Sequence, residues 1–83
     1  LFQTQAQAPG IPTLSDGFKP AKNWDGESRV RAPNGRGYGY PDKGGSVWVP
    51  TGVKPSIAHG GPHWDVQYPD GSYDNIYPGG RKR

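Results

Sequence analysis

Residues 62–68 read Pro-His-Trp-Asp-Val-Gln-Tyr, and the alternation is strict. Trp64, Val66 and Tyr68 fall on one side, and His63, Asp65 and Gln67 fall on the other. A period of two predicts a strand with one apolar and one polar face. Pro69-Asp70-Gly71 then suits a three-residue hairpin loop: Pro69 fits the second position of a type I turn, and Gly71 accepts the left-handed conformation that closes it. A two-residue Asp70-Gly71 turn would instead put Pro69 where the ladder needs an N–H. The longer loop fixes the register. Tyr68 opposes Ser72, Val66 opposes Asp74 and Trp64 opposes Ile76, while on the other face Gln67 opposes Tyr73, Asp65 opposes Asn75 and His63 opposes Tyr77. Trp64 and Ile76 then belong to a core, and His63, Asp65, Asn75 and Tyr77 floor a site open to solvent. A slip of one residue would exchange the two faces.

Weaker strand patterns precede this hairpin. Residues 46–50 place Val47 and Val49 on one side and Trp48 on the other. Residues 28–32 form a short candidate ended by the Asn34-Gly35 turn, and the glycine-interrupted residues 37–40 suit a sheet edge. Residues 51–57, broken by Gly52 and Pro55, read as a loop. Gly (14) and Pro (10) make up more than a quarter of the 83 residues, which leaves no window for a long helix. Three Trp, five Tyr and two Phe still supply a thin aromatic core. The expected fold is mostly β: a small twisted antiparallel sheet with long Gly/Pro-rich loops and little or no helix.

One domain is the most that this length supports. Residues 1–14, uncharged and without periodicity, read as a tether, and residues 15–83 as the folded unit. With no Met at position 1 or anywhere else, the chain reads as a piece of a larger protein. With no Cys, neither a disulfide nor a thiolate metal site staples the fold. No apolar run approaches the roughly 20 residues that span a bilayer. The net charge is +3, with basic positions at Lys19, Lys22, Arg29, Arg31, Arg36 and Arg81-Lys82-Arg83 that suit a phosphate backbone.

Both histidines fall in one segment, His59-Gly-Gly-Pro-His63-Trp-Asp65. The two glycines let the backbone turn so that His59 returns over His63, and His63 and Asp65 lie about 7 Å apart on one strand face. Cleaving RNA without a metal needs a base for the 2′-hydroxyl, an acid for the departing oxygen and a cation for the charged phosphorane. Histidines suit the first two roles. On this reading His63 is the base, His59 the acid, and Asp65 orients the imidazole or shares the proton transfer. Lys54 or Arg81 binds phosphate, and Tyr73 or Tyr77 stacks a base or donates a hydrogen bond. A lone histidine in a Gly/Pro loop is more often a solvated turn residue. Two within five residues beside an alternating carboxylate tip the balance towards chemistry. Trp24, Trp48 and Trp64 read as core, Asp70 as turn chemistry, and the basic C-terminus equally as a frayed tail.

The rival chemistry is metal hydrolysis, with His59, His63 and Asp65 as three ligands and an open position for water. The rival class is a non-catalytic module that holds RNA, glycan or a protein partner. A phosphate loop and a dinucleotide fingerprint are absent, and a lone Glu27 excludes paired-glutamate glycoside chemistry.

Three stretches carry a resemblance: residues 16–24, residues 34–52, and above all Ala-His-Gly-Gly-Pro-His-Trp-Asp-Val-Gln followed by Tyr-Asp-Asn-Ile-Tyr-Pro-Gly-Gly. From Asp16 onward the chain resembles the C-terminal toxin domains of bacterial polymorphic toxins, in particular the nuclease family called polymorphic toxin type 37. That resemblance implies a domain at the tip of an Rhs, contact-dependent-inhibition or type VI secretion effector. Such a domain is delivered into a neighbouring cell, attacks RNA or DNA in the cytoplasm, and is neutralised by a cognate immunity protein. It further implies His59, His63 and Asp65 as site residues, with Gln67 beside them. The implied partner is an acidic protein covering the histidine face, because opposite charge gives fast capture. No cofactor and no membrane contact are implied, and a monomer is expected before the immunity protein binds. A looser similarity is to rRNA-cleaving colicin domains, which use Asp, His and Glu. Here no Glu lies near Asp65, which argues against ribosomal specificity.

Overall fold

The computed structural model describes residues 8–52 and 61–82. Six short strands follow one another as an antiparallel meander: β1 (Val30–Arg31), β2 (Tyr38–Pro41), β3 (Val47–Pro50), β4 (Trp64–Gln67), β5 (Tyr73–Tyr77) and β6 (Arg81–Lys82). The one helical element among the described residues is a three-residue 3-10 turn, Leu14–Asp16. The mostly-β, loop-rich class expected from the sequence is therefore the observed one.

The β4–β5 register is Trp64 with Ile76, Asp65 with Asn75, Val66 with Asp74 and Gln67 with Tyr73, as the alternation and the turn require. The Tyr68 amide donates to the Ser72 carbonyl, and Gly71, at φ 93°, donates its N–H to the Tyr68 carbonyl. Asp70 Oδ1 accepts from both the amide and the hydroxyl of Ser72, so this carboxylate is turn chemistry. β2 lies inside the sheet, paired to β1 on one side and β3 on the other, rather than at its edge.

One face carries the core. Trp48, Trp64, Val66, Ile76 and Tyr40 are buried on it, with Phe18 laid across and Trp24 and Tyr68 at the margin. Edge-to-face ring pairs link Phe18 to Trp24, Phe18 to Trp48 and Trp48 to Trp64 at 5.3–5.8 Å. Within the stretch read as a tether, Gly10 and Pro12 are buried. The Trp64 indole donates to the Gly10 carbonyl at 2.9 Å, satisfying the one polar atom of a buried ring. The C-terminal basic residues Arg81 and Lys82 form an edge strand rather than a frayed end.

Candidate functional site

On the second face the register stacks residues of β3, β4 and β5 into rows. The middle row is Val49, Asp65 and Asn75, all half-buried. Below it lie Val47, Gln67 and Tyr73. Above it His63 stacks on Tyr77 with ring centroids 4.7 Å apart, and Tyr77 pairs with Arg81, whose guanidinium sits 5.1 Å from the Tyr77 centroid. The hairpin thus brings His63, Asp65, Gln67, Tyr73, Asn75, Tyr77 and Arg81 onto one face. Lys54 and His59 lie outside the described residues.

His63 does not open to solvent as the alternation led us to expect; it is 5% exposed. Tyr77, itself buried, lies against its ring, and Thr51, just after β3, bonds its backbone. The Thr51 amide donates to the His63 carbonyl, and the His63 amide donates to Thr51 Oγ1. Its Nδ1 lies 3.1 Å from the Gly61 carbonyl, and because a carbonyl only accepts, that nitrogen is the donor of the pair. The group orienting this imidazole is thus a backbone carbonyl that sequence reasoning missed, and not Asp65. No strand pattern encodes this contact, because it depends on the backbone conformation at Gly61. Tyr77, held between imidazole and guanidinium, offers no open ring for stacking. Tyr73 does, at 66% exposure.

Asp65 is half-buried, and more exposed than either His63 or Gln67. Among the described residues, no donor hydrogen-bonds its carboxylate and no cation lies within 4 Å of it. Burial pushes the carboxyl above the ordinary aspartate range, and a positive charge on His63 would oppose that rise. A carboxylate in a partly desolvated row without a hydrogen-bond donor is costly to keep ionised, so it binds a proton more readily than an aspartate in water.

Gln67 occupies the other end of the face and is 7% exposed. Its Nε2 donates to the Arg36 carbonyl at 3.3 Å, so the β1–β2 turn lies over this end of the sheet. A side-chain carbon built on Gly37 would stand 3.2 Å from Val49 Cγ1, which places the same turn against the middle row. Gln67 Oε1 is buried without a hydrogen-bond partner. No strand pattern shows that the β1–β2 turn covers β4, because the contact spans 31 residues. Among the described residues no three His, Asp or Glu side chains converge as metal ligands. The ligand set proposed from sequence includes His59 and so falls outside them.

A family model described as bacterial toxin 37 matches residues 6–80. No curated protein and no solved structure matches the chain.

Proposed function

This chain belongs to the bacterial toxin 37 family, and from that premise we propose that it is a metal-independent ribonuclease, delivered into the cytoplasm of a competitor cell and neutralised there by an acidic immunity protein. The observation that carries the reading is Asp65: a half-buried carboxyl, raised by desolvation, on a sheet face shared with an oriented imidazole and an exposed arginine. Perturbed carboxyls without structural partners concentrate where proton transfer is needed.

In the proposed reaction the ionised Asp65 carboxylate takes the proton of the 2′-hydroxyl, and His63 flanks it on the same sheet face. The 2′-oxygen bonds to phosphorus, the bond from phosphorus to the 5′-oxygen breaks, and an acid protonates the leaving oxygen. His59 is the proposed acid. The products are a 2′,3′-cyclic phosphate and a free 5′-hydroxyl, so every proton is accounted for without a co-reactant. Arg81, with Lys54, holds the phosphate, Tyr73 and Asn75 contact the bases, and Gln67, covered by the β1–β2 turn, ties that turn to the face. Tyr77 acts through the imidazole it supports.

The test is incubation of the purified domain with total RNA and with plasmid DNA, each with and without chelator. RNA cleavage that survives chelation, with plasmid intact, is expected. Cleavage abolished by chelator assigns the chemistry to a metal instead. Cleavage of plasmid alone makes the domain a DNase, and neither substrate cut makes it a binding module.

A further inference from the structure

The β1–β2 hairpin carries a second surface that the proposed chemistry does not use. Ser28, Arg29 and Tyr38 line an open depression. The register sets Arg31 directly across from Tyr38, a residue 55% exposed. Arg29 also reaches the margin of the core: burial opposes ionisation of the Tyr40 phenol, and the Arg29 charge partly offsets it.

These arginines lack acidic partners. Among the described residues the one ion pair is Lys82 with Asp74, at 3.5 Å on the far edge of the sheet. The acids nearest in sequence to Arg29 are Asp25 and Glu27. Asp25 is committed to its own turn, accepting from the amides of Glu27 and Ser28 and from the Ser28 hydroxyl.

The hairpin also leads to the candidate site. A carbon built on Gly35 would stand 3.6 Å from an Arg31 guanidinium nitrogen, and Arg36, next in the turn, is bound through its carbonyl by Gln67. Gln67 is two residues from Asp65 on the same strand face. Arginines at 29, 31 and 36 therefore run from the depression to the end of the catalytic face.

We propose that Ser28, Arg29, Arg31, Arg36 and Tyr38 form an anchoring subsite for single-stranded RNA, gripping the strand away from the linkage that is cut. The inference rests on the ribonuclease reading. The arginines neutralise phosphates, and Tyr38 offers a flat ring on which a base stacks. An acidic protein would use the charge, but it has no regular series of flat rings to match an exposed tyrosine.

The experiment measures binding of a fluorescent 2′-O-methyl single strand of about 12 nucleotides, within the span that small domains cover, across a range of salt. Without a 2′-hydroxyl this probe cannot be cut by the proposed route. Replacing both Arg29 and Arg31 by Ala should weaken binding at least tenfold and flatten the log–log salt slope by about 1.4, the change expected for two lost phosphate contacts. Tyr38→Ala should weaken it several-fold, and Tyr38→Phe should restore it because the ring is kept. Lys43→Ala, an exposed cation on the β2–β3 turn, should change neither quantity.

An unchanged affinity and slope in the double variant overturns the subsite and leaves the surface to an acidic protein. A Lys43→Ala loss equal to that of the double variant also overturns it, since net charge alone would then explain binding. Wild type that cleaves RNA while the double variant binds like wild type sinks this inference alone. Intact RNA, together with binding that Arg29 and Arg31 control, sinks the ribonuclease reading and leaves the subsite standing.

Discussion

Asp65 has a folded-state pKa above its unfolded value, so the folded chain binds a proton more readily than the unfolded chain does. Stability therefore falls as pH rises through the window from about 3.9, the unfolded aspartate value, up to the raised folded value. Above that window the ionised carboxyl is a standing cost. Asp65→Asn removes the charge and keeps the shape, so its thermal midpoint at pH 7 should exceed that of wild type. The difference should vanish below about pH 4, where the carboxyl is protonated in both states. A lower midpoint at pH 7, read by circular dichroism, would mark the carboxylate as a structural partner instead. His63 shows the limit of reading single residues. Alternation put it on the correct face, but its burial depends on Tyr77 and on the return of the chain at Gly61, which alternation does not encode.

At the scale of elements, the β4–β5 hairpin was legible because each cue was local. The period of two sets the faces, Pro69 and Gly71 set the loop, and the loop sets the register. The hairpin is then reinforced by a bond no pattern reveals: the Tyr68 hydroxyl donates to Asp74 Oδ2 at 2.7 Å, and burial with that bond pushes the phenol up to about 12. The β2–β3 pairing was less legible, because glycine near Tyr38 and Tyr40 weakens any strand pattern. The structure gives Gly39 a specific reason: a side-chain carbon there would collide with the Trp48 carbonyl oxygen and lie 2.8 Å from Val49 Cα. Gly39→Ala must push β2 off β3 and should cost about 3 kcal/mol or more, as backbone displacement in a packed core does. Gly26→Ala meets no atom within 4 Å and bears only the strain of a positive φ, about 1 kcal/mol. Urea midpoints of the two variants, measured side by side, check the contrast; equal losses would contradict it.

For the whole molecule, stability rests on long-range ties that composition cannot show. Asp16 is buried and accepts from the Thr13 amide, the Thr13 hydroxyl and the Gly79 amide, 63 residues away. Burial pushes its carboxyl up, but these three bonds together hold it below the usual range. Its contribution is thus present above the unfolded value and is lost as pH falls through the lower folded one. Asp16→Ala takes the acceptor from the Thr13 and Gly79 amides and should cost about 1–3 kcal/mol. That is a large share of the about 4–12 kcal/mol a domain of this size holds, so a lower urea midpoint with an unchanged slope is expected. Retention of the wild-type midpoint would show that the tie carries little. The sequence placed Asp16 near the start of the folded unit without indicating that it ties this end of the chain to the turn at Gly79.

The most direct measurement is the initial rate at which purified wild type and Asp65→Asn cleave total RNA in excess chelator, with the 3′ ends of the fragments identified. The account predicts 2′,3′-cyclic phosphate ends from wild type and a rate lowered about 10²–10⁴-fold in a variant that stays folded. An Asp65→Asn variant that cuts RNA at the wild-type rate would contradict it.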